Sequence, residues 1–207
     1  MESLRERLSQ SAASATLTLS ATELARLEQY LLLLERWNRR INLTALPLAG
    51  FPSETLDRLV VEPFVAAAFV GNMPVRWSDV GSGGGSPGIP LKIIRPRAIL
   101  TMIEAKARKT AFLREVVRNL GLVDTRVLTA QFESAASDEP ASADLLSVRG
   151  VKLDEKLIGA IMRLVRPGGR LLLFQSRSDL ARKYPGLTLI QEMPIPRGVL
   201  RVLTKDD

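Results

Sequence analysis

The sequence contains neither cysteine nor histidine. Without cysteine there is no disulfide framework and no thiolate zinc site. Without histidine there is no Ser-His-Asp triad, no Cys-His pair and no imidazole-ligated metal. No metal is therefore expected, and any chemistry proceeds without imidazole or thiol. Long apolar runs are also missing. The longest stretch, Leu59 to Val75, is interrupted by Glu62, Pro63 and Asn72, which argues against a membrane span. The first residues, MESLRERLSQ, mix charges and lack the apolar segment of a secretory signal. The expected compartment is the cytoplasm, with no membrane partner. What remains is ordinary for a globular protein: 207 residues, 46% apolar and 25% charged. That length suits one domain, or one domain with a short appendage, with a core large enough to stand without covalent staples. Nothing in it demands more than a monomer.

The charge is positive and unevenly placed. There are 29 Lys and Arg against 22 Asp and Glu, a net +7. Between Lys92 and Arg118 eight basic residues face only two acids, Glu104 and Glu115. A second group, Arg36, Arg39 and Arg40, closes an N-terminal helix. Guanidinium forks match phosphate geometry, so a polyanionic partner is expected, with these three arginines as RNA-binding candidates.

Two patterns of apolar spacing divide the chain. Ser20-Ala21-Thr22-Glu23 has the form of a capping box. After it, Leu24, Leu27, Tyr30, Leu31, Leu34 and Trp37 recur at helical spacing, to about Arg40. Ser53 can cap a second helix carrying Leu56, Leu59, Val60, Phe64 and Val65. Residues 1–75 thus read as a helical extension. From residue 76 to 207, strands alternate with helices. Strands are expected at Arg76–Val80, Ala98–Ile103, Arg126–Leu128, Asp144–Val148, Arg170–Phe174, Leu187–Met193 and Val199–Thr204. Helices are expected at about Ile89–Ile94, Lys106–Leu120 and Asp154–Val165, the last closed by Pro167-Gly168-Gly169. Such alternation predicts an α/β fold with a mostly parallel sheet covered on both faces. Only the last two strands lack a helix between them, so they can pair antiparallel. The Ala/Ser-rich stretch Ser134–Ala143 reads as a surface loop.

The glycine loop carries the strongest functional signal. The first strand ends in Ser78-Asp79-Val80, followed by Gly81-Ser82-Gly83-Gly84-Gly85-Ser86-Pro87-Gly88. In open α/β sheets ligands bind beyond the carboxyl ends of the strands, where this loop lies. The second strand ends near Glu104, spaced to accept both hydroxyls of an adenosine ribose. Two cofactors fit. A dinucleotide frame can be read at Gly83, Gly85 and Gly88, with Pro87 awkwardly inside it. The form Asp79-Val80-Gly81-Ser82-Gly83 looks instead like the first motif of enzymes that use S-adenosylmethionine (SAM), with Asp79 a counter-charge for the cofactor's ammonium.

Further residues carry a closer resemblance. Trp37-Asn38 with Ile41-Asn42-Leu43-Thr44, the Asp79–Gly83 motif, Pro87-Gly88-Ile89-Pro90-Leu91, Phe112-Leu113 and Arg149 together resemble the GidB/RsmG family. Its members are bacterial guanine-N7 methyltransferases of small-subunit ribosomal RNA. The spacing matches from about Tyr30 to Gly150, and more loosely beyond. The resemblance implies a seven-stranded, Rossmann-like SAM-dependent methyltransferase sheet with an N-terminal helical extension. It implies SAM as methyl donor, the small ribosomal subunit as partner and N7 of guanine 527 in 16S rRNA as target. Carried over position by position, it places Gly81, Gly83, Ser86, Glu104, Phe132, Glu133 and Arg149 around the cofactor. Trp37, Asn38, Asn42 and Thr44 are expected to fix the helix-end turn rather than touch RNA.

Several positions depart from the family pattern: Glu54, Arg58, Ser86, Val148, Gly150, Gln175-Ser176 and a basic residue displaced to Arg197 or Arg201. They cluster around the expected target pocket. The chemistry suits the residue inventory. Guanine N7 already carries an in-plane lone pair, so its methylation needs positioning more than a base. No catalytic base is assigned. Cytosine-C5 transfer would need the missing cysteine. Two alternatives remain: a SAM-binding relative that binds RNA without transfer, and a nicotinamide-dependent oxidoreductase using the Gly83–Gly88 frame.

Overall fold

The computed structural model describes residues 2–177 and 183–206. Two helices open the chain, and the same local device starts both. Ser20 accepts from the Glu23 amide at 3.3 Å while the Glu23 carboxylate accepts from the Ser20 amide at 2.7 Å. This reciprocal cap starts α2 (Ala21–Asn38). Ser3 and Glu6 repeat it at the start of α1 (Leu4–Ser14). One further helical run begins as α3 (Ser53–Leu56), passes through a π-helical turn (Asp57–Val61) and ends as α4 (Glu62–Val65). A short α5 (Ala67–Val70) leads into the sheet.

Seven strands follow, and every strand expected from the apolar pattern is present. They are β1 (Arg76–Val80), β2 (Ile99–Glu104), β3 (Thr125–Thr129), β4 (Ala143–Arg149), β5 (Val165–Gln175), β6 (Leu187–Ile195) and β7 (Gly198–Lys205). Between them run α6 (Gly88–Ile94), α7 (Ala107–Leu120), α8 (Phe132–Asp138) and α9 (Glu155–Leu164). The sheet order is β3-β2-β1-β4-β5-β7-β6. The first five strands are mutually parallel, and β7 pairs antiparallel with both β5 and β6. This order puts β1 and β4 side by side at the centre. The strand order reverses there, so their carboxyl ends open a crevice.

Two expectations are corrected. Ser134–Ala143 is a surface loop only at residues 139–142: its first half belongs to α8, and Ala143 begins β4. Alanine favours helix, and Ala135 and Ala136 are buried in the core that also contains Leu157, Ala160 and Ile161 of α9. Pro167-Gly168-Gly169 does not stand between α9 and the next strand. Strand β5 already begins at Val165, opposite Ala143, and its register then shifts so that Arg170 faces Leu145. The extra residues form an irregularity within the strand. A Cβ at Gly169 would lie 2.6 Å from Val165 Cγ1, so only glycine fits that bend.

The helical extension is not a separate body. Leu8, Leu27, Tyr30, Leu34 and Phe64 share one buried cluster with Trp77, Leu100, Met102 and Phe112 on one face of the sheet. The other face buries Val80, Ile103, Leu146 and Leu173 beneath α8 and α9. Asn38 fixes the chain as it leaves α2. Its Oδ1 accepts from the amides of Leu43 and Thr44 at 2.9 and 3.0 Å, and its Nδ2 donates to the Thr44 carbonyl at 3.1 Å. Thr44 Oγ1 in turn accepts from the Leu46 amide at 3.1 Å. Trp37 packs on Phe112 with ring centroids 5.9 Å apart. Asn38→Ala leaves three partly buried backbone groups unpaired, at a cost of about 1–3 kcal/mol. A fall in Tm of roughly 3–10 °C is expected for a chain of this size. An unchanged melting curve would mean the turn holds itself.

Candidate active site

The site is built where β1 runs into its glycine loop. The amides of Gly81 and Ser82 donate to the Ile103 carbonyl at 2.9 and 3.2 Å, which bends the loop across the end of β2. Gly81 has φ +68°, and a Cβ there would lie 2.7 Å from Val151 Cγ2. The loop is held from behind by the helical extension. Tyr30 of α2, wholly buried, donates its hydroxyl to the Gly84 carbonyl at 2.7 Å, and burial pushes its phenol well above the ordinary range.

Two carboxylates flank the loop. Glu104 Oε2 accepts from the Gly83 amide at 3.0 Å and Oε1 from the Lys106 amide at 2.9 Å. The acid at the end of β2 is thereby locked to the loop, and each oxygen keeps a free lone pair for a hydroxyl donor. Asp79 lies beneath the loop, 1% exposed. Its Oδ1 accepts from Ser147 Oγ at 2.5 Å, and that hydroxyl accepts from Trp77 Nε1 at 2.9 Å. Its Oδ2 is buried with no hydrogen-bond partner. Burial pushes the Asp79 carboxyl up to about 6, opposed by the Ser147 and Ser82 hydrogen bonds and by the charge of Arg149. Gly88 opens α6 directly against it: a Cβ there would stand 3.0 Å from Asp79 Oδ2. The third glycine of the dinucleotide-like frame therefore serves close packing of helix on strand.

Arg149, at the end of β4, points inward. It donates to the carbonyls of Arg58 and Ser86, each at 2.6 Å, and lies 3.6 Å from the buried Glu62 carboxylate. Its guanidinium also sits 5.8 Å from the centroid of the Phe174 ring. Burial, followed by the charge of Arg58, lowers it to about 10, against the pull of Glu62. Two of the sequence's departures meet here: Arg197 reaches Glu54 at 3.6 Å across the rim. A third is braced, with Gln175 Nε2 donating to the Tyr184 hydroxyl at 2.7 Å.

Two clefts meet along Leu46, Arg58, Gly150 and Arg197. One, of about 540 Å³, runs along Gly81, Gly83, Ser86, Lys109 and Arg149. The other, of about 700 Å³, lies beyond β4 and β5 against Val148, Phe174, Gln175, Ser176 and Tyr184. Gly81, Gly83, Ser86 and Arg149 are thus brought together, with Glu104 bonded to that wall. Phe132 and Glu133 lie outside both linings. Phe132 is buried in the core with Val80 and Ile103, and Glu133 faces Lys156 at 3.5 Å. Arg36 pairs with Glu115 at 2.7 Å and Arg39 with Glu35 at 3.3 Å, whereas Arg40 is exposed without a carboxylate partner among the described residues. Sequence reasoning missed Tyr30, Glu62, Pro63 and Lys109. The signals available were a charge and a proline inside an apolar helical run.

The residues fit SAM. Beneath the loop Asp79 keeps a buried carboxylate oxygen without a hydrogen-bond partner, a counter-charge for a cation-bearing ligand, and Gly81 and Gly83 bring backbone without side chains to the cleft wall. Comparison with known proteins agrees. Among solved structures, an S-adenosyl-L-methionine-dependent methyltransferase described as putative, from Methanococcus maripaludis, superposes with a TM-score of 0.57 at 16% identity, over 74% of this chain and 90% of that one. The ribosomal RNA small subunit methyltransferase G of Xanthomonas oryzae pv. oryzae is 36% identical over 182 residues, 83% of this chain and 80% of that protein. Its counterpart in Xanthomonas euvesicatoria is 39% identical over 183 residues, 86% and 82% of the two chains. The GidB profile, rRNA small subunit methyltransferase G, matches residues 23–183. With the sheet order, the glycine loop and this match in agreement, the chain belongs to the rRNA small subunit methyltransferase G family.

Proposed function

We propose that this chain transfers a methyl group from SAM to N7 of guanine 527 in 16S rRNA. It is a SAM-dependent methyltransferase of 16S rRNA, and the nucleotide and atom are the reading its site supports best. The observation that carries it is the bonded pair of glycine loop and Glu104 at the mouth of two joined clefts. When bound, SAM supplies an electron-poor methyl group on sulfur, which the in-plane lone pair of N7 displaces in line with no proton to remove.

The chain's task is therefore to hold and align. Gly83 and Glu104 offer the ribose edge, and Gly81 leaves the backbone bare where the ligand approaches. Asp79 supplies negative charge from below. Arg149 keeps the end of β4 against Ser86. The larger cleft, with Phe174 and Tyr184 in its wall, has room for a base turned out of the RNA. Positioning of two reactants in this way is worth roughly 7–11 kcal/mol of barrier. No helix among the described residues is long and apolar enough to cross a membrane.

Labelled methyl from SAM is expected to enter 16S rRNA of small subunits that lack the modification, and not subunits that already carry it. Equal labelling of both would overturn the assignment of the target. For the RNA face, Arg40→Glu is expected to weaken binding and reduce the salt slope by about one unit, the mark of one lost phosphate contact. Reversal at Arg36 or Arg39 is expected to do less, because Glu115 and Glu35 already face those charges. An unchanged slope for Arg40→Glu would move the RNA face to Lys106, Arg108 and Lys109.

A further inference from the structure

Pro63 stands inside the helical run that begins at Ser53 and ends at Val65. Proline has no amide hydrogen. In an α-turn residue 63 would donate to the Leu59 carbonyl, and in a π-turn to the Arg58 carbonyl. Pro63 therefore donates to neither carbonyl, the Glu62 amide goes to the Asp57 carbonyl instead, and both the Leu59 and Arg58 carbonyls accept from side chains of the cofactor wall. The Leu59 carbonyl accepts from Ser86 Oγ at 2.9 Å, and the Arg58 carbonyl accepts from Arg149 Nη1 at 2.6 Å.

The neighbouring residue completes the junction. Glu62 is 0% exposed. Its Oε2 lies 2.6 Å from Arg58 Nη1 and 3.6 Å from Arg149 Nη1, and its Oε1 accepts from the Arg197 amide at 3.2 Å. One buried carboxylate thus ties together the helical run, the end of β4 and the turn before β7. These are three walls of the joined clefts. A buried charge persists only where it is paired and hydrogen-bonded, and this one is. Arg149 is left with Nη2 against the Ser86 carbonyl at 2.6 Å, so the loop's last residues are held by both backbone and side chain.

We propose that Glu62 and Pro63 are positioning residues for the SAM-binding loop: Pro63 gives no amide hydrogen to the two carbonyls that dock Ser86 and Arg149, and Glu62 holds the Arg149 guanidinium in that dock. The proposal rests on the SAM reading of the loop. Neither residue touches the cofactor, and both act through Arg149 and Ser86. Arg58, a departure from the family pattern, becomes intelligible as the second cation on Glu62.

The test is calorimetric titration of the full chain with S-adenosylhomocysteine at 25 °C, alongside thermal melts. Pro63→Ala restores a helical donor and removes a helix breaker, so a purely structural role predicts an equal or higher Tm with unchanged affinity. The positioning role predicts an equal or higher Tm with affinity at least fivefold weaker. Glu62→Gln keeps the shape and removes the charge, and is expected to weaken binding about tenfold, raising KM for SAM more than it lowers kcat. Should Glu62→Gln fail to fold, Pro63→Ala decides. Affinity of Pro63→Ala within twofold of the parent overturns the proposal. A parent chain that does not bind S-adenosylhomocysteine at all overturns the SAM reading, and this proposal with it.

Discussion

Replacing Gly81 by valine is expected to abolish measurable binding of S-adenosylhomocysteine, a loss above about a hundredfold, while the sheet stays folded. Three features converge on this residue. Its φ of +68° lies where a β-branched side chain is strained. Its amide is tied to the Ile103 carbonyl at 2.9 Å, so the backbone cannot simply turn away. Its Cβ would fall 2.7 Å from Val151 Cγ2. Val151 is 37% exposed and can yield, but yielding moves the segment after β4 that lines both clefts. The conformational strain costs about 1–3 kcal/mol, well inside the stability of a typical domain. Circular dichroism and calorimetry on the same sample separate the two effects. Undiminished affinity would remove the glycine loop from the cofactor site.

Asp79→Asn is expected to make the ligand-free protein more stable at pH 8 and to weaken cofactor binding at least tenfold. Burial raises the folded-state carboxyl to about 6, above the ordinary value near 3.9. The group therefore favours folding fully below about pH 4, loses that contribution as the pH rises through about 6, and above it sits ionised in a buried place. Two pKa units correspond to about 3 kcal/mol, or a Tm rise of roughly 6–12 °C for the amide at pH 8. The advantage should vanish near pH 4. Asp144 works in the opposite sense. The Arg76 hydrogen bond, helped by Arg166, holds its carboxyl well below the usual range. Its contribution is present at neutral pH and lost in acid, in both proteins alike. A melting temperature of Asp79→Asn that matches the parent from pH 4 to 8 would contradict the assigned cost. A binding site that keeps a destabilising charge for its ligand is a common trade of stability for activity.

The parts of this fold that were legible in the sequence are those set by local chemistry. Strand–helix alternation from Arg76, the cap at Ser20, the antiparallel last pair and the glycine loop all follow from residues close to one another in the chain. The Asn38 turn followed for the same reason. The cap expected at Ser53 does not form: Pro52 holds the cap position and Ser53 is the first residue of α3. Segment 134–143 was misread because alanine and serine suit both exposed loops and closely packed helices, and only burial against α9 decides between them. Glu62 and Pro63 showed only as interruptions of an apolar run. Their partners lie at Ser86, Arg149 and Arg197, up to 135 residues along the chain, so no window on the sequence contains the arrangement. Arg149 was recognised by position, yet its carbonyl and carboxylate partners could not be read without the sheet order that brings β4 beside β1.

The most direct test is to map the methyl group. Purified chain, labelled SAM and small ribosomal subunits lacking native N7 methylation should yield label on one nucleotide, N7 of guanine 527. Replacing that nucleotide by 7-deazaguanosine, which has no N7 lone pair, should eliminate it. Label at another nucleotide or atom, or binding of S-adenosylhomocysteine with no transfer at all, would contradict the account. It would then be the Glu54–Arg197 rim and the Gln175–Tyr184 wall that had changed what the pocket accepts.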